Sequence, residues 1–333
     1  MTARTASGLE QAVFGWTDAR QVDDWVDRHV RERLGRGVDR VLFRSGRVGA
    51  VYGLRLLDGS DVVVKVPRGN PMLGPLTAAT ASPAPPRAHR GRCPTPLDGP
   101  AMTGGRVGLI EDLLEIGEIA DIRRTPIRRA AIASLAEQIT LLAALPDEAG
   151  ALTDPPAWER FRHGPWPTPH DTIFDFTHTP EGYEWLDHLA GAAAHQAATA
   201  TGPVLVGHSD WYVGNLRFTA DTVVAAYDWD NLVAEPEPVI AGFAAGSHTL
   251  GHPTGPGAPT PEEVGTFLTE YAEHRPGSFT AAGRTAAAAA AVWVLAYHAR
   301  CQLCFLPTGD PPPPGSTLQA LAEHGPTYLA LDW

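Results

Sequence analysis

The stretch VLVGHSDWYVGNLRFTADTVVAAYDWDNL, residues 204–232, decides the fold of this chain. It reads as two strands flanking a polar turn: an apolar run starts at Val204, a polar loop spans 207–215, and apolar residues return from Leu216 to Ala226. The polar side chains at the strand ends are His208, Asp210, Asn215, Asp228 and Asp230. A strand–loop–strand hairpin would bring the loop and the end of the second strand to one edge.

The spacing of these polar residues is H-x-D-x4-N followed by D-x-D, and it suits phosphoryl transfer. In that chemistry an aspartate accepts the proton of the attacking hydroxyl, while an amide oxygen and a carboxylate hold magnesium against the phosphates. Turn formation explains any one of these residues. It does not explain the whole set.

Lysine usage gives an independent indication. The chain has 26 lysine and arginine residues, and Lys65 is the one lysine among them. A bias toward arginine would remove lysine wherever a guanidinium serves as well. A compact ammonium that faces phosphates is a place where arginine is a poor substitute. We therefore expect Lys65 to have a function.

The motifs at 204–232 resemble those of the aminoglycoside phosphotransferase family, the small-molecule kinases of the protein-kinase-like fold. In that family the catalytic loop usually reads H-G-D-x4-N, and the later motif reads D-x-D or D-F-G. This chain differs in having Ser209 for the glycine and Trp229 at the middle position. Neither difference falls on a residue that would bind a ligand.

The resemblance implies ATP, or another nucleoside triphosphate, and Mg²⁺ as cofactors. By carry-over from the family, Asp210 would be the catalytic base and Lys65 the phosphate clamp. Asn215 and Asp228 would be the magnesium ligands, and His208 would brace the loop by hydrogen bonding.

The N-terminal third predicts a small antiparallel sheet behind an amphipathic helix at 21–34. Short strands are expected at 40–44, 51–57 and 62–66, and Asp58-Gly59 is a strong hairpin signal between the last two. Alternation in the third strand puts Val62, Val64 and Val66 on one side, with Val63 and Lys65 on the other.

Two further segments of this region bear on nucleotide binding. Ser45, Gly46 and Gly49 lie in a loop that could cover phosphates, although a simple hairpin turn explains the glycines equally well. Arg106–Asp112 is expected as the last strand of the sheet. After it, the resemblance implies a hinge whose backbone meets adenine, with contacts at Glu111 and Leu113.

The segment Pro67–Gly105 carries many prolines and is expected to be a loop, with at most a short helix near Thr77–Ala81. Active kinase-like folds pair the sheet lysine with a glutamate from the segment after it. The sequence has no carboxylate between Val62 and Leu97. We therefore expect an unpaired Lys65 and an ATP affinity that falls as the pH rises. The alternative is a carboxylate from outside this segment, with Asp228 the nearest candidate.

The sequence beyond the hinge predicts mostly helices. Three are expected to start at a Thr-Pro pair, at Thr125, Thr179 and Thr260, and Glu263 would complete a capping box at the last. An alanine-rich buried helix is expected at 280–305 and a closing helix at 317–330.

The predicted fold class is therefore α+β: a kinase-like fold with a small antiparallel β-sheet lobe at 1–110, a hinge at 111–120, and a mostly α-helical lobe at 121–333. The expected function is phosphoryl transfer to a hydroxyl of a small molecule, such as an aminoglycoside-like antibiotic or a metabolite. Candidate acceptor contacts are Asp230, Glu235 and Trp166, from the D-x-D extension, the turn after it and an aromatic segment.

Composition limits the classes of partner that we expect this protein to bind. The formal charge is −12 and no long basic run occurs, so nucleic acid and anionic membranes are poor partners. No segment predicts a signal peptide or a membrane span, and three cysteines suit a reducing cytoplasm.

Two other functions remain open from the sequence. A pseudokinase would bind nucleotide without turnover. A serine hydrolase would use Ser209 as nucleophile, with Asp228 and His248 following in the order of an α/β-hydrolase triad.

Overall fold

The computed structural model describes residues 4–46, 49–68, 93–143, 161–164, 166–251 and 257–333. The chain divides into two compact units, Met1–Glu115 and Ile116–Trp333. The predicted helix near 77–81 and the loop residues 47–48 lie outside the described residues. Within the described residues, no helix has both the length and the apolar character that crossing a bilayer requires.

In its described residues, the first unit combines two helices with one antiparallel sheet. Its elements are α1 (Gly8–Phe14), α2 (Ala19–Leu34), β1 (Val38–Ser45), β2 (Ala50–Leu56), β3 (Asp61–Val66), β4 (Pro96–Thr103) and β5 (Arg106–Asp112). The five strands lie in the order β1-β2-β3-β5-β4. The predicted positions of α2, β1, β2, β3 and β5 are confirmed.

Strand β3 has the predicted two-sided character. Val62, Val64 and Val66 are buried in the core that the sheet shares with α2. Because side chains alternate along a strand, Val63 and Lys65 lie on the opposite face. The Asp58-Gly59 turn before β3 is also confirmed, and Gly59 adopts the positive φ of 86° that favours glycine there.

Two elements of this unit differ from the sequence-based expectation. Residues 96–103 form strand β4, where a loop was predicted. Pro96 and Pro100 are compatible with a strand because β4 lies at the edge of the sheet and its ladder to β5 is irregular between Pro96 and Asp98 and between Asp98 and Ala101. Helix α1 was not predicted, although Ser7 and Glu10 form a complete capping box at its start.

The second unit is mostly helical. Its elements are α3 (Thr125–Ala143), α4 (Glu184–Ala197), β6 (Val204–His208), β7 (Leu216–Thr219), β8 (Thr222–Ala226), β9 (Leu232–Pro236), α5 (Glu237–Ser247), α6 (Pro261–His274), α7 (Ala281–Leu303) and α8 (Thr317–Leu329). Short 3₁₀ turns occupy Phe161–His163, Val213–Asn215 and Trp229–Asn231.

The alanine-rich helix α7 lies buried at the centre of this unit, as predicted, and packs closely on α5. A Cβ atom added at Gly242 of α5 would lie 2.3 Å from the carbonyl oxygen of Ala287. One added at Gly246 would lie 2.5 Å from that of Ala291. The small residues therefore allow the two helix backbones to approach each other.

The predicted hairpin from 204 to 226 is wrong in its strand pairing. Strand β6 pairs with β9, while β7 and β8 form a hairpin of their own, and Phe218 of β7 also makes an isolated bridge to Glu118. Apolar alternation indicates where strands are but not which strands pair. Strand β9 and helix α5 were missed because Glu235-Pro236-Glu237-Pro238 reads as a turn.

The predicted helix starts had mixed outcomes. Thr260 and Glu263 form the expected capping box, and α3 begins at Thr125. The start predicted at Thr179 is wrong, since α4 begins at Glu184. The Thr179 hydroxyl instead donates a hydrogen bond to Asp187 Oδ1 at 2.9 Å, so it bonds to a side chain and does not cap a helix.

Candidate active site

The loop after β6 is held by packing at its base. Strand β6 ends at His208 and is hydrogen-bonded along its length to β9. Gly207 is required by its surroundings, because a Cβ atom there would lie 2.7 Å from Ile240 Cγ2 of α5. The loop therefore leaves a rigid strand at a fixed position.

His208 has hydrogen bonds on both ring nitrogens. Nδ1 accepts from the Asp210 backbone N–H at 3.2 Å, and Nε2 lies 2.9 Å from the carbonyl oxygen of Tyr227. The ring is fully buried and lies edge-on to Trp211 and Trp229. These are the contacts that a bracing role requires, and they link the loop to the residue before Asp228.

Asp210 and Asn215 are joined directly. The Asn215 amide nitrogen lies 3.0 Å from Asp210 Oδ2 and 3.0 Å from the Asp210 carbonyl oxygen. Because its nitrogen is directed at Asp210, the amide oxygen of Asn215 is the atom suited to a cation. The Asn215 backbone also accepts a hydrogen bond from Tyr227 N–H at 2.9 Å. The loop and the segment that leads to Asp228 are therefore in contact through their backbones.

Asp228 has a left-handed backbone, with φ 57° and ψ 48°. This conformation is uncommon for residues other than glycine, and aspartate and asparagine tolerate it best. The Asp228 carbonyl oxygen accepts from the N–H and from the side-chain amide of Asn231, at 3.1 and 3.2 Å. The turn at Trp229–Asn231 therefore fixes this unusual backbone in place.

Sequence reasoning missed two residues that support the loop. The Asn231 carbonyl oxygen accepts from both the N–H and the hydroxyl of Ser209, each at 2.9 Å. Gln138 of α3 accepts from His208 N–H at 3.3 Å. The scarcity of asparagine was a usable signal for Asn231, since the chain has three and two lie in 204–232. No sequence pattern indicates Gln138.

The hydrogen bonds of Ser209 and His248 are not those of a hydrolase triad. The Ser209 hydroxyl donates to a backbone carbonyl, and Nδ1 of His248 is bonded to the Ala245 carbonyl oxygen at 2.8 Å. Burial lowers the pKa of His248 to about 4, which is too low for an effective base at neutral pH. These contacts favour a structural role for both residues.

The candidate metal ligands are oxygen donors. An amide oxygen at Asn215 and a carboxylate at Asp228 are hard ligands of the kind that Mg²⁺ takes, together with water and phosphate. No group of three or more His, Cys, Asp or Glu side chains suited to a metal occurs among the described residues. The donor chemistry therefore fits magnesium shared with a phosphate.

In the first unit, Lys65 has a carboxylate partner. Its Nζ lies 3.2 Å from Glu111 Oε1, and both side chains are largely buried. The expectation of an unpaired lysine is therefore wrong, and the pH dependence of nucleotide affinity that was inferred from it loses its basis. The carboxylate comes from β5 rather than from the segment that follows β3.

Backbone geometry favours glycine at both glycine positions of the candidate phosphate loop. Gly46 adopts a φ of 122°, and a Cβ atom there would overlap the Gly49 carbonyl group. A Cβ atom at Gly49 would lie 2.8 Å from the Val66 carbonyl oxygen. A phosphate-binding role for Ser45, Gly46 and Gly49 stays a prediction.

The predicted hinge contacts lie at the end of β5 and just beyond it. Glu111 is opposite Val63 in the ladder, and its side chain points to Lys65. The Leu113 N–H donates to the Asp61 carbonyl oxygen at 3.2 Å. An adenine contact at Leu113 would therefore use the carbonyl oxygen rather than the amide.

The candidate acceptor contacts lie in the second unit, and the side chain of Asp230 lies outside the described residues. Glu235 forms a salt bridge with Arg162, so its charge has a partner. The Trp166 indole N–H donates to Asp187 Oδ1 at 2.6 Å, and its ring stacks on Trp293 at 6.0 Å. Trp166 thus belongs to an ordered aromatic cluster.

No protein-family model matches this sequence, and no curated protein matches it. Solved structures are similar over most of its length. Amicoumacin kinase hAmiN in complex with AMP-PNP, Ca²⁺ and Ami has a TM-score of 0.64 at 12% identity, covering 93% of this chain and 95% of that one. A GDP complex of aminoglycoside 2'-phosphotransferase-IIIa has a TM-score of 0.58 at 10% identity, covering 84% and 91%.

A GDP and kanamycin complex of APH(2")-IIIa is also similar, with a TM-score of 0.52 at 10% identity, covering 90% of this chain and 93% of that one. Likenesses at this level of identity concern the fold. The resemblance of residues 204–232 implied the same fold, and that prediction is confirmed. The chain has the protein-kinase-like fold found in small-molecule kinases and phosphotransferases.

Proposed function

We propose that this protein transfers the terminal phosphoryl group of a nucleoside triphosphate to a hydroxyl group of a small molecule. The observation that carries the proposal is the Asp210–Asn215 hydrogen bond in a loop tied through His208 to the segment ending at Asp228. The fold of the similar structures, which include complexes with AMP-PNP and GDP, supports it.

In the proposed reaction the hydroxyl oxygen of the acceptor attacks the terminal phosphorus atom. The bond from that phosphorus to the bridging oxygen breaks, the nucleoside diphosphate leaves, and the hydroxyl proton passes to the Asp210 carboxylate. The hydrogen bond from the Asn215 amide holds one carboxylate oxygen of Asp210 in place. The other oxygen is the one that we assign to the acceptor.

We assign Asn215 and Asp228 to Mg²⁺ and Lys65 to the phosphates. Magnesium bound there would neutralise charge on the phosphate oxygens. The left-handed backbone of Asp228 supports the assignment, because strained residues that their surroundings hold in place are concentrated at functional sites. The ammonium of Lys65 would add a compact positive charge.

The decisive experiment is turnover. The protein is incubated with Mg-ATP or Mg-GTP and a panel of aminoglycosides including kanamycin, other natural-product antibiotics, sugars and amino alcohols, and products are sought by their phosphoryl mass gain. We expect at least one acceptor to be phosphorylated by the wild type and not by Asp210→Asn. Nucleotide binding without turnover on any acceptor would favour the pseudokinase, and absence of nucleotide binding would overturn both.

Asp228→Asn should remove magnesium-dependent nucleotide binding. Asparagine also tolerates a left-handed backbone, so the change removes charge without adding strain. At a hundred times its dissociation constant, Mg-nucleotide should stabilise the wild type by about 2.7 kcal/mol. Thermal-shift titrations with and without magnesium measure this stabilisation.

The matched control is Asp221→Asn, which removes an exposed carboxylate near the other end of β8. It should retain the full magnesium-dependent shift. An unchanged shift in Asp228→Asn would remove Asp228 from the metal site.

We also propose that Glu235 contributes to acceptor binding, because cationic acceptors would favour an acidic pocket. Replacing it with glutamine should raise the acceptor KM roughly two- to five-fold, the scale of a partly exposed ion pair, and leave kcat unchanged. Steady-state kinetics with the best acceptor of the panel measure both constants. Glu273→Gln, which removes an exposed carboxylate paired with Arg129, is the control. A KM equal to that of the control would exclude Glu235.

A further inference from the structure

We propose that Glu111 is the residue that orients the Lys65 ammonium toward the nucleotide phosphates, so that a strand of the sheet supplies the carboxylate which the segment after β3 lacks. The inference rests on the proposed function and concerns how its phosphate clamp is built. Glu111 is a positioning residue in this proposal, since it acts through Lys65.

The ladder between β3 and β5 explains why these two side chains meet. Lys65 is opposite Leu109, and Val63 is opposite Glu111. Lys65 and Glu111 are therefore diagonal neighbours on one face of adjacent antiparallel strands, a separation that long side chains bridge. The 3.2 Å distance between Nζ and Oε1 is that of a direct salt bridge.

Burial makes this contact matter more than an exposed ion pair. The side chains of Lys65 and Glu111 are 19% and 11% exposed. Removing one partner of a buried pair leaves the other charge buried without compensation, whereas exposed pairs contribute little to stability. Glu111 therefore contributes to both the charge balance and the direction of the Lys65 ammonium.

The neighbouring carboxylates of the sheet have partners of their own. Asp61, on the same strand as Lys65, is held by Arg55 through two hydrogen bonds. Asp98 of β4 is held by Arg33, and Asp112 accepts from the Thr95 N–H. The sequence from Val62 to Leu97 contains no aspartate or glutamate. Glu111 is thus the carboxylate of this sheet that is assigned to Lys65.

The presence of a single lysine allows a direct test. Growth on ¹³C-lysine labels one side chain, so its NMR signal needs no assignment. Mg-ATP or Mg-GTP should shift this signal in the wild type. In Glu111→Gln the shift should require more nucleotide, and kcat/KM for the nucleotide should fall about 10- to 100-fold, the scale of a hydrogen bond between charged groups.

A double-mutant cycle separates positioning from general stability. In a Lys65→Met background, Glu111→Gln should lower kcat/KM less than two-fold, because no ammonium remains to be oriented. A purely structural role for Glu111 would give the same factor in both backgrounds. Asp61→Asn is the matched control, since it removes an arginine-bound carboxylate from the strand of Lys65, and it should leave the nucleotide KM and the lysine signal unchanged.

Glu111→Asp covers the case in which Glu111→Gln does not fold. It keeps the charge but withdraws the carboxylate by one methylene, and it should raise the nucleotide KM roughly two- to ten-fold. If Glu111→Asp, or a folded Glu111→Gln, has the wild-type nucleotide KM, the inference is wrong while the proposed function stands. If nucleotide never shifts the lysine signal of the wild type, the proposed function is wrong and the inference falls with it.

Discussion

Asp210→Asn is expected to lower kcat by roughly 10²–10⁴-fold, the range for loss of a general base, while nucleotide affinity stays unchanged. The structure gives a reason to expect an intact loop in this variant. The new amide can turn its oxygen toward the Asn215 amide nitrogen and so keep the hydrogen bond that Asp210 Oδ2 accepts at 3.0 Å. What the variant loses is the ability to take a proton.

Single-turnover kinetics with a saturating acceptor measure the chemical step, and the thermal shift with Mg-nucleotide confirms binding in the same preparation. Asp221→Asn again serves as the charge control. A fall in kcat of less than ten-fold would show that Asp210 is not the base. A loss of nucleotide binding together with turnover would place Asp210 among the metal ligands instead.

Gly242→Ala is expected to destabilise the second unit by about 3 kcal/mol, the upper range for overpacking in a core. The new methyl group would lie 2.3 Å from the Ala287 carbonyl oxygen and 2.7 Å from Ala290 Cβ. Backbone atoms in a buried helix cannot move aside as a flexible side chain can. The two helices α5 and α7 would have to separate.

The control for this variant is Gly191→Ala in helix α4, where an added Cβ atom meets nothing within 4 Å. Alanine is a better helix former than glycine, so this change should stabilise the protein by up to about 1 kcal/mol. Urea unfolding curves of the two variants compare their midpoints and slopes. Equal midpoints would show that the close approach of α5 and α7 can relax at little cost.

Local features of the fold were predictable from the sequence where one segment determines them. The alternation at Val62, Val64 and Val66 identified the buried face of β3, and Thr260 with Glu263 identified a helix start. Strand pairing was not predictable in the same way. Strand β6 pairs with β9 rather than with the strand that comes next in the chain, and nothing in the alternation of either strand specifies its partner.

The residues of the candidate site also differ in whether the sequence alone could identify them. The motif residues His208, Asp210 and Asn215 are held together by contacts within eight residues of sequence, and the pattern alone indicated them. Glu111 and Gln138 act on residues 46 and 70 positions away, respectively. Their roles depend on strand register and on helix packing, which a single sequence does not specify. Motif logic offered Asp228 as the nearest carboxylate outside the segment after β3, whereas strand register brings Glu111 of β5 to Lys65.

Because the partner of Lys65 comes from β5, the sheet determines what fraction of the molecules is ready to bind nucleotide. A carboxylate carried by a separate, movable helix is in place only in the fraction of molecules in which that helix is docked, and the observed affinity is reduced by the same fraction. Here the register of two adjacent strands fixes the pair, so disrupting it requires breaking the sheet itself. The resting protein should therefore hold its clamp ready in nearly every molecule, with no step that an activator would need to switch on.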